Sequence, residues 1–294
     1  MEIQTPDRQL LGIGSGLYLL DTPHGWATIT PEMLDDLSGF TGLSHEAALE
    51  RLRTYEYGRM AKEWARANPK TIQEMIAFYG STDAYVWSLT LWQAAGKYTF
   101  YHKLVNDIAN RLHPSSEHPK RALDYGSGIG TSAIWLAERG FDVTIVDVPG
   151  ISFDYTQFRL RRRGIPFTAI PITSEMVDLG EAPFDAIACF DVLEHVRRPD
   201  LICRHLLDSL TPDGLISIVA PFDETDDFEG YHLRENAERF GGGRFDLWLS
   251  GQGLARQPGG FTWHFARGRN ALVRRAQYRL WRATGLDIRY KRPG

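Results

Sequence analysis

Residues 121–131 read RALDYGSGIGT, and the reading of this stretch decides the fold. Apolar residues lead into Asp124, after which Gly126, Gly128 and Gly130 alternate with small or apolar residues. A helical pattern follows at 132–139 and stops at Gly140; 141–148, FDVTIVDV, is strand-like and carries Asp147 near its end. Strand, glycine turn, helix, strand and acid together form the pattern of a nucleotide-binding βαβ unit. So tight a turn needs backbone angles that a Cβ disfavours, and bare peptide wherever a ligand lies against it. The dinucleotide fingerprint is G-x-G-x-x-G, with pyrophosphate at the helix N-terminus. Here the spacing is G-x-G-x-G, and Thr131 holds the slot of the third glycine. An acid two residues ahead of the first glycine suits a cationic ligand better than a diphosphate. A nicotinamide oxidoreductase is therefore disfavoured.

Outward from this unit, strands and helices alternate. Strands are expected at 122–125, 142–146, 166–172, 184–190 and 215–220, with helices at 131–139, 153–163 and 199–210. Strands separated by helices imply a parallel sheet with right-handed crossovers. Further on, a helix at 245–250 and two more strands at 254–257 and 261–266 are expected. Upstream, helical spacing runs over 41–69 with Ser44 as N-cap, then over 71–79 and 85–112. The stretch LHPSSEHPK at 112–120, with two prolines and two serines, reads as a linker. The expected fold is α/β, with a seven-stranded, mostly parallel, doubly wound sheet behind an N-terminal helical cap.

The segment Asp124-Tyr125-Gly126-Ser127-Gly128-Ile129-Gly130 resembles motif I of the class I S-adenosylmethionine-dependent methyltransferases. Asp147 is similar to the acid at the end of that family's second strand. FDAIACFDVLEHV at 184–196 resembles its fourth strand and trailing loop. LTPDGL at 210–215 resembles its L-x-P-G-G turn, with Asp213 in place of the first glycine. The likeness spans roughly residues 121–268, with four motifs in order. It implies a cofactor, S-adenosyl-L-methionine, leaving as S-adenosyl-L-homocysteine. It also implies roles. The backbone of Gly126, Ser127, Gly128 and Gly130 wraps the amino-acid head, Asp124 orients that loop and meets the ammonium directly or through water, and Tyr125 counts among the cofactor-binding residues of the motif. Asp147 grips the ribose hydroxyls, Val148 packs on adenine, and Asp191 lies near the methionine portion. A polar residue after the third strand, among Thr173, Ser174 and Glu175, meets the adenine amino group; Ser174 is carried as the candidate. On this reading 1–115 is a substrate or cap region, 116–268 the cofactor-binding methyltransferase domain, and 269–294 an Arg-rich tail.

Methyl transfer is an in-line displacement, so the protein must align the acceptor, exclude water and take a proton from a hydroxyl or protonated amine. His195 is the candidate base, since an imidazole titrates near neutral pH. His232 and His264 are weaker candidates, and the other six histidines read as surface or packing residues. The acidic stretch DETDDFE at 223–229 lacks the spaced glycine of a calcium loop and reads as a solvated loop or lid; no metal is assigned. The aromatic residues Tyr85, Trp87, Trp92, Tyr98, Phe100 and Tyr101 are read as core or as a cap over the site, with Tyr98 or Tyr101 able to meet the cofactor carboxylate.

An apolar fraction of 43% is ordinary for a globular core. Cys189 and Cys203 suit core thiols and cannot build a disulfide framework or zinc pattern. The opening residues lack the basic n-region of a signal peptide and no run has the length of a membrane span, so a cytoplasmic protein is expected. The net charge of −4 hides an asymmetry: residues 267–294 hold eight Arg and one Lys against Asp287, a net +8, so the rest carries −12. A basic tail on an acidic body argues against RNA as the acceptor. The expected function is methylation of oxygen or nitrogen on a small metabolite in biosynthesis, with carbon left open. The alternatives are a macromolecular or carrier-bound acceptor docked by the tail, and a non-catalytic cofactor-binding module. The oligomeric state is open, a homodimer included.

Overall fold

The computed structural model describes residues 9–115, 117–222, 232–256 and 262–265, with Ala276, Leu280 and Ala283. The acidic stretch 223–229, and all but those last three residues of the Arg-rich segment 269–294, lie outside the described residues.

The described residues open on an antiparallel meander, not a helix: β1 (Leu10–Gly14), β2 (Leu17–Thr22) and β3 (Gly25–Ile29). Ser15 and Gly16, at φ 53° and 71°, make the tight left-handed turn that a two-residue hairpin requires. The inner face of the meander puts Leu20, Ala27 and Ile29 into a core shared with the helices that follow. These are α1 (Pro31–Thr41), α2 (His45–Arg53), α3 (Arg59–Ala67), α4 (Ile72–Ser81), α5 (Ala84–Ala94) and α6 (Thr99–Leu112). Local chemistry starts several of them. The Thr30 side chain accepts from the Met33 N–H ahead of Pro31, Ser44 caps α2, and Thr71 with Glu74 forms a capping box. The long helices expected over 41–69 and 85–112 are each broken in two. Gly58 and Gly96, at φ 84° and 76°, turn the chain where helical angles would continue.

After the 112–120 connection come β4 (Lys120–Tyr125), α7 (Thr131–Glu138), β5 (Phe141–Asp147), α8 (Ile151–Arg162), β6 (Phe167–Pro171), β7 (Phe184–Phe190), α9 (Pro199–Asp208) and β8 (Leu210–Val219). The chain continues through α10 (Arg234–Phe240), α11 (Arg244–Gly251), β9 (Leu254–Arg256) and β10 (Thr262–Phe265). Five strands pair in parallel in the order β6-β5-β4-β7-β8. Beyond β8 the pairing turns antiparallel, with β10 against β8 and β9 against β10. Apolar clusters fill both faces of the sheet, and Cys189 and Cys203 are fully buried free thiols within one of them. Among the described residues no helix is long and apolar enough to cross a membrane.

The order of strands reverses at β4: the chain steps to β5 on one side and later to β7 on the other. A crevice opens at such a point beyond the carboxyl ends of the strands, where open α/β sheets bind ligands. The N-terminal layer covers this crevice by resting on α8. The approach is closest at two glycines. A Cβ on Gly80 would stand 2.5 Å from the Pro149 carbonyl oxygen, and one on Gly150 would stand 2.1 Å from the Gly80 oxygen, so peptide lies directly on peptide.

Candidate functional site

The crevice holds a cavity of about 750 Å³ that runs from the glycine loop into the N-terminal layer. Asp124, Tyr125, Gly126, Ser127, Gly128, Asp147, Val148, Ser174, Asp191 and His195 all line it. Gly130 is not among the lining residues. It sits at φ 76° as the N-cap of α7, and a Cβ there would stand 2.7 Å from Thr156 Cγ2. Its place in the motif answers to helix packing.

The loop hangs from β5, whose Val146 carbonyl accepts from Gly126 N at 2.7 Å and Ser127 N at 3.3 Å. Gly126 lets the loop pass the turn after β7, because a Cβ on it would stand 2.2 Å from Val192 Cγ2. Asp147 closes the loop from below. Its Oδ2 accepts from Gly128 N at 2.7 Å and Ser127 Oγ at 3.4 Å, and its Oδ1 accepts from Val148 N at 2.7 Å. Thr131, in the slot of the missing glycine, is buried and donates to Gln93 Oε1 at 2.8 Å. A side chain keyed to the N-terminal layer therefore stands where a dinucleotide fold needs bare peptide.

The electrostatics select the charge of the ligand. Asp124 is 3% exposed, and its Oδ2 is buried without a hydrogen-bond partner. Burial, and then the charge of Asp147, pushes its carboxyl up to about 7, against the bond it accepts from the Ala133 N–H. Burial likewise pushes Asp147 up to about 6, against the bonds from Gly128, Val148 and Ser127. Two carboxyls thus sit at the ends of neighbouring strands at a desolvation cost that a cation would offset. S-adenosylmethionine, with a sulfonium and an ammonium, fits this pair of carboxyls; a diphosphate does not.

Opposite the loop, Asp191 follows β7 at φ 53°, a left-handed angle uncommon for a residue with a side chain. Tyr101 donates its hydroxyl to Asp191 Oδ2 and stacks on Phe190 with ring centroids 5.1 Å apart. Burial and the charge of Asp191 raise the Tyr101 and Tyr98 hydroxyls well above the ordinary phenol range, so both stay protonated as donors. His195 lies one turn on, its Nε2 3.7 Å from Oε1 of the buried Glu194, with its ring 4.8 Å from that of His232. Ser174 turns its hydroxyl to the Met176 carbonyl at 2.6 Å, inside its own loop.

The far end of the cavity is aromatic. Tyr55, Tyr57, Tyr79, Tyr85, Trp92 and His24 line it. His24, read from the sequence as a surface or packing residue, sits edge-on to Tyr57 and Trp92 on the cavity wall, and burial lowers its pKa. Sequence reasoning also misses Ser152, Thr156 and Arg159 of α8, which hold the loop carbonyls. Their spacing at i, i+4 and i+7 on the helix after the second strand carries the available signal.

Fold and site together define an α/β protein whose parallel sheet carries, at its switch point, a cavity lined by two buried carboxyls. The chain belongs to the methyltransferase-domain family, which matches residues 98–290. It is similar to a ubiquinone biosynthesis O-methyltransferase of Idiomarina loihiensis, 31% identical over 131 residues, covering 42% of this chain and 53% of the relative. It is also similar to the tRNA 5-carboxymethoxyuridine methyltransferase of Escherichia coli K12, 28% identical over 144 residues, covering 48% of this chain and 50% of the relative. The chain thus spans about half the length of these curated relatives. Among solved structures, an S-adenosylmethionine-dependent methyltransferase from Clostridium acetobutylicum aligns with a TM-score of 0.39 at 12% identity, covering 44% of this chain and 53% of that one.

Proposed function

We propose that this protein is an S-adenosylmethionine-dependent methyltransferase acting on an oxygen or nitrogen of a small, largely apolar metabolite. One observation carries the reading: a single cavity joins the two strand-end carboxyls to an aromatic chamber. S-adenosylmethionine, when bound, supplies a methyl group made electrophilic by the positive sulfur. Asp124 receives its ammonium, and the glycine loop, Asp147 and Val148 hold its remaining parts. Tyr98 and Tyr101 offer phenolic donors beside Asp191. The aromatic chamber of the N-terminal layer excludes water and orients the acceptor, which is the proximity contribution. His195 takes the proton of the acceptor, with the buried Glu194 stabilising the imidazolium that results.

The O-methyltransferase relative supports a small-molecule acceptor, and the largely apolar, aromatic-lined chamber favours it over a polymer. The tRNA methyltransferase relative, together with the Arg-rich segment, supports the second reading, a macromolecule docked from outside. A radiolabelled methyl-transfer assay on a metabolite pool and on cell polymers separates the two. Label in the small-molecule fraction is expected, and label confined to the polymer would overturn the first reading. Binding of S-adenosylhomocysteine without turnover of any acceptor would instead point to a non-catalytic module. His195→Ala is expected to lower turnover roughly 10²–10⁴-fold at unchanged cofactor affinity; full turnover in that variant would make His195 structural.

A further inference from the structure

We propose that one face of α8 is a positioning device for the glycine loop, braced from the N-terminal layer by Asp36. The inference rests on the cofactor reading above. The Gly128 carbonyl accepts from Thr156 Oγ1 at 2.7 Å and from Ser152 Oγ at 3.0 Å. A carbonyl oxygen has two lone pairs, and here α8 engages both. One turn further along, Arg159 Nη1 donates to the Ile129 carbonyl and, at 3.1 Å, to Thr131 Oγ1.

These bonds set the loop. Peptide planes are rigid and trans, so turning the Gly128 oxygen toward α8 turns the Ile129 N–H away from it. The plane cannot rotate without breaking two hydrogen bonds. Gly128 is held on its other side as well, since its own N–H donates to Asp147. A loop that must present backbone to a ligand is thereby ordered before the ligand arrives, which removes an entropic cost from binding.

The brace lies behind α8. Arg159 is almost fully buried, and its Nε donates to Asp36 Oδ2 at 3.0 Å. Asp36, 1% exposed, also accepts from Arg162 Nη1 at 2.9 Å and Arg163 Nη2 at 2.7 Å. Asp35 and Glu32 complete the cluster by pairing with Arg162 and Arg163. Three acids of α1 thus face three guanidinium groups of the α8 end. The Thr131 hydroxyl that Arg159 contacts is bonded to Gln93 of α5, the helix that also presents Trp92 to the acceptor chamber. The positioning residues therefore link the chamber wall to the cofactor loop.

Isothermal titration of the full chain with S-adenosylhomocysteine, paired with thermal melting, tests this. Thr156→Val keeps the buried shape and removes the hydroxyl; it is expected to weaken binding about fivefold at a melting point close to wild type. Thr156→Ser, which restores the hydroxyl, is expected to return the affinity. Ser152→Ala provides a second, less buried variant and should weaken binding in the same direction. Wild-type affinity in both Thr156→Val and Ser152→Ala, or a loss that Thr156→Ser fails to rescue, would overturn the proposal. Failure of the wild-type chain to bind would sink the cofactor reading instead, so the two failures are distinguishable.

Discussion

Two buried carboxylates mark two regions of this molecule and behave in opposite ways. Asp36, where α1 meets α8, is 1% exposed and surrounded by three guanidinium groups. Burial opposes its charge, but the bonds and charges of Arg163 and Arg159 outweigh it and hold the carboxyl below its usual range. Asp124, at the end of β4, is 3% exposed and has another acid for a neighbour. Its carboxyl is pushed up to about 7. The first region closes its electrostatics internally and is structural. The second leaves a negative site that the fold itself does not neutralise, and this marks it as a place for a ligand.

Breaking the closed region should have the largest effect. Asp36→Ala leaves buried guanidinium groups without their shared acceptor and is expected to cost about 3–5 kcal/mol of stability by urea unfolding. Asp124→Asn should do the reverse in the open region. It is expected to leave the ligand-free fold as stable or more stable at pH 8, while weakening S-adenosylmethionine by about 1.5–3 kcal/mol in calorimetry, the scale of a charge-assisted bond. Equal affinity would remove Asp124 from the site.

The pH dependence sharpens the contrast, because the signs differ. Asp36, lowered in the fold, contributes stability that is present above the ordinary carboxyl value of 3.8 and is lost as pH falls through its folded value. Asp124 and Asp147, raised, contribute stability that is complete below 3.8 and is lost as pH rises through about 7 and about 6 respectively. A cation prefers both ionised. Affinity for S-adenosylmethionine should therefore tighten between pH 5 and pH 8, with proton release visible as a buffer-dependent binding enthalpy. The smallest effect is expected at the rim of the closed cluster. Asp35 is 42% exposed where it pairs with Arg162, so Asp35→Ala should cost under about 1 kcal/mol.

The glycine-loop half of this arrangement is legible in the sequence because its signals are local. Glycines at 126, 128 and 130 and the acids at 124 and 147 belong to one βαβ unit, and its strands fall where hydrophobic runs lie between helical patterns. The N-terminal layer was less legible. Its opening meander hides in a Gly-rich stretch whose strands have only five or six residues, too few to show clear alternation. The brace was not legible at all: Asp36 and Arg159 lie 123 positions apart, and no spacing rule connects them. Gly130 reads as part of the ligand motif, yet the contact that demands it is Thr156 of α8. Sequence thus announces the glycine turn and its acids more clearly than the α8 side chains that hold the turn in place.

The abutment of Gly80 and Gly150 bears on how the cavity is walled. Because bare backbone meets bare backbone there, no side chain stands between the two elements to swing aside and absorb a misfit. The spacing of α4 from the turn that opens α8 is consequently gauged by covalent geometry, like the fixed jaw of a caliper. Enlarging either glycine would have to part the two elements, and with them Tyr79 and Val148, which both line the cavity.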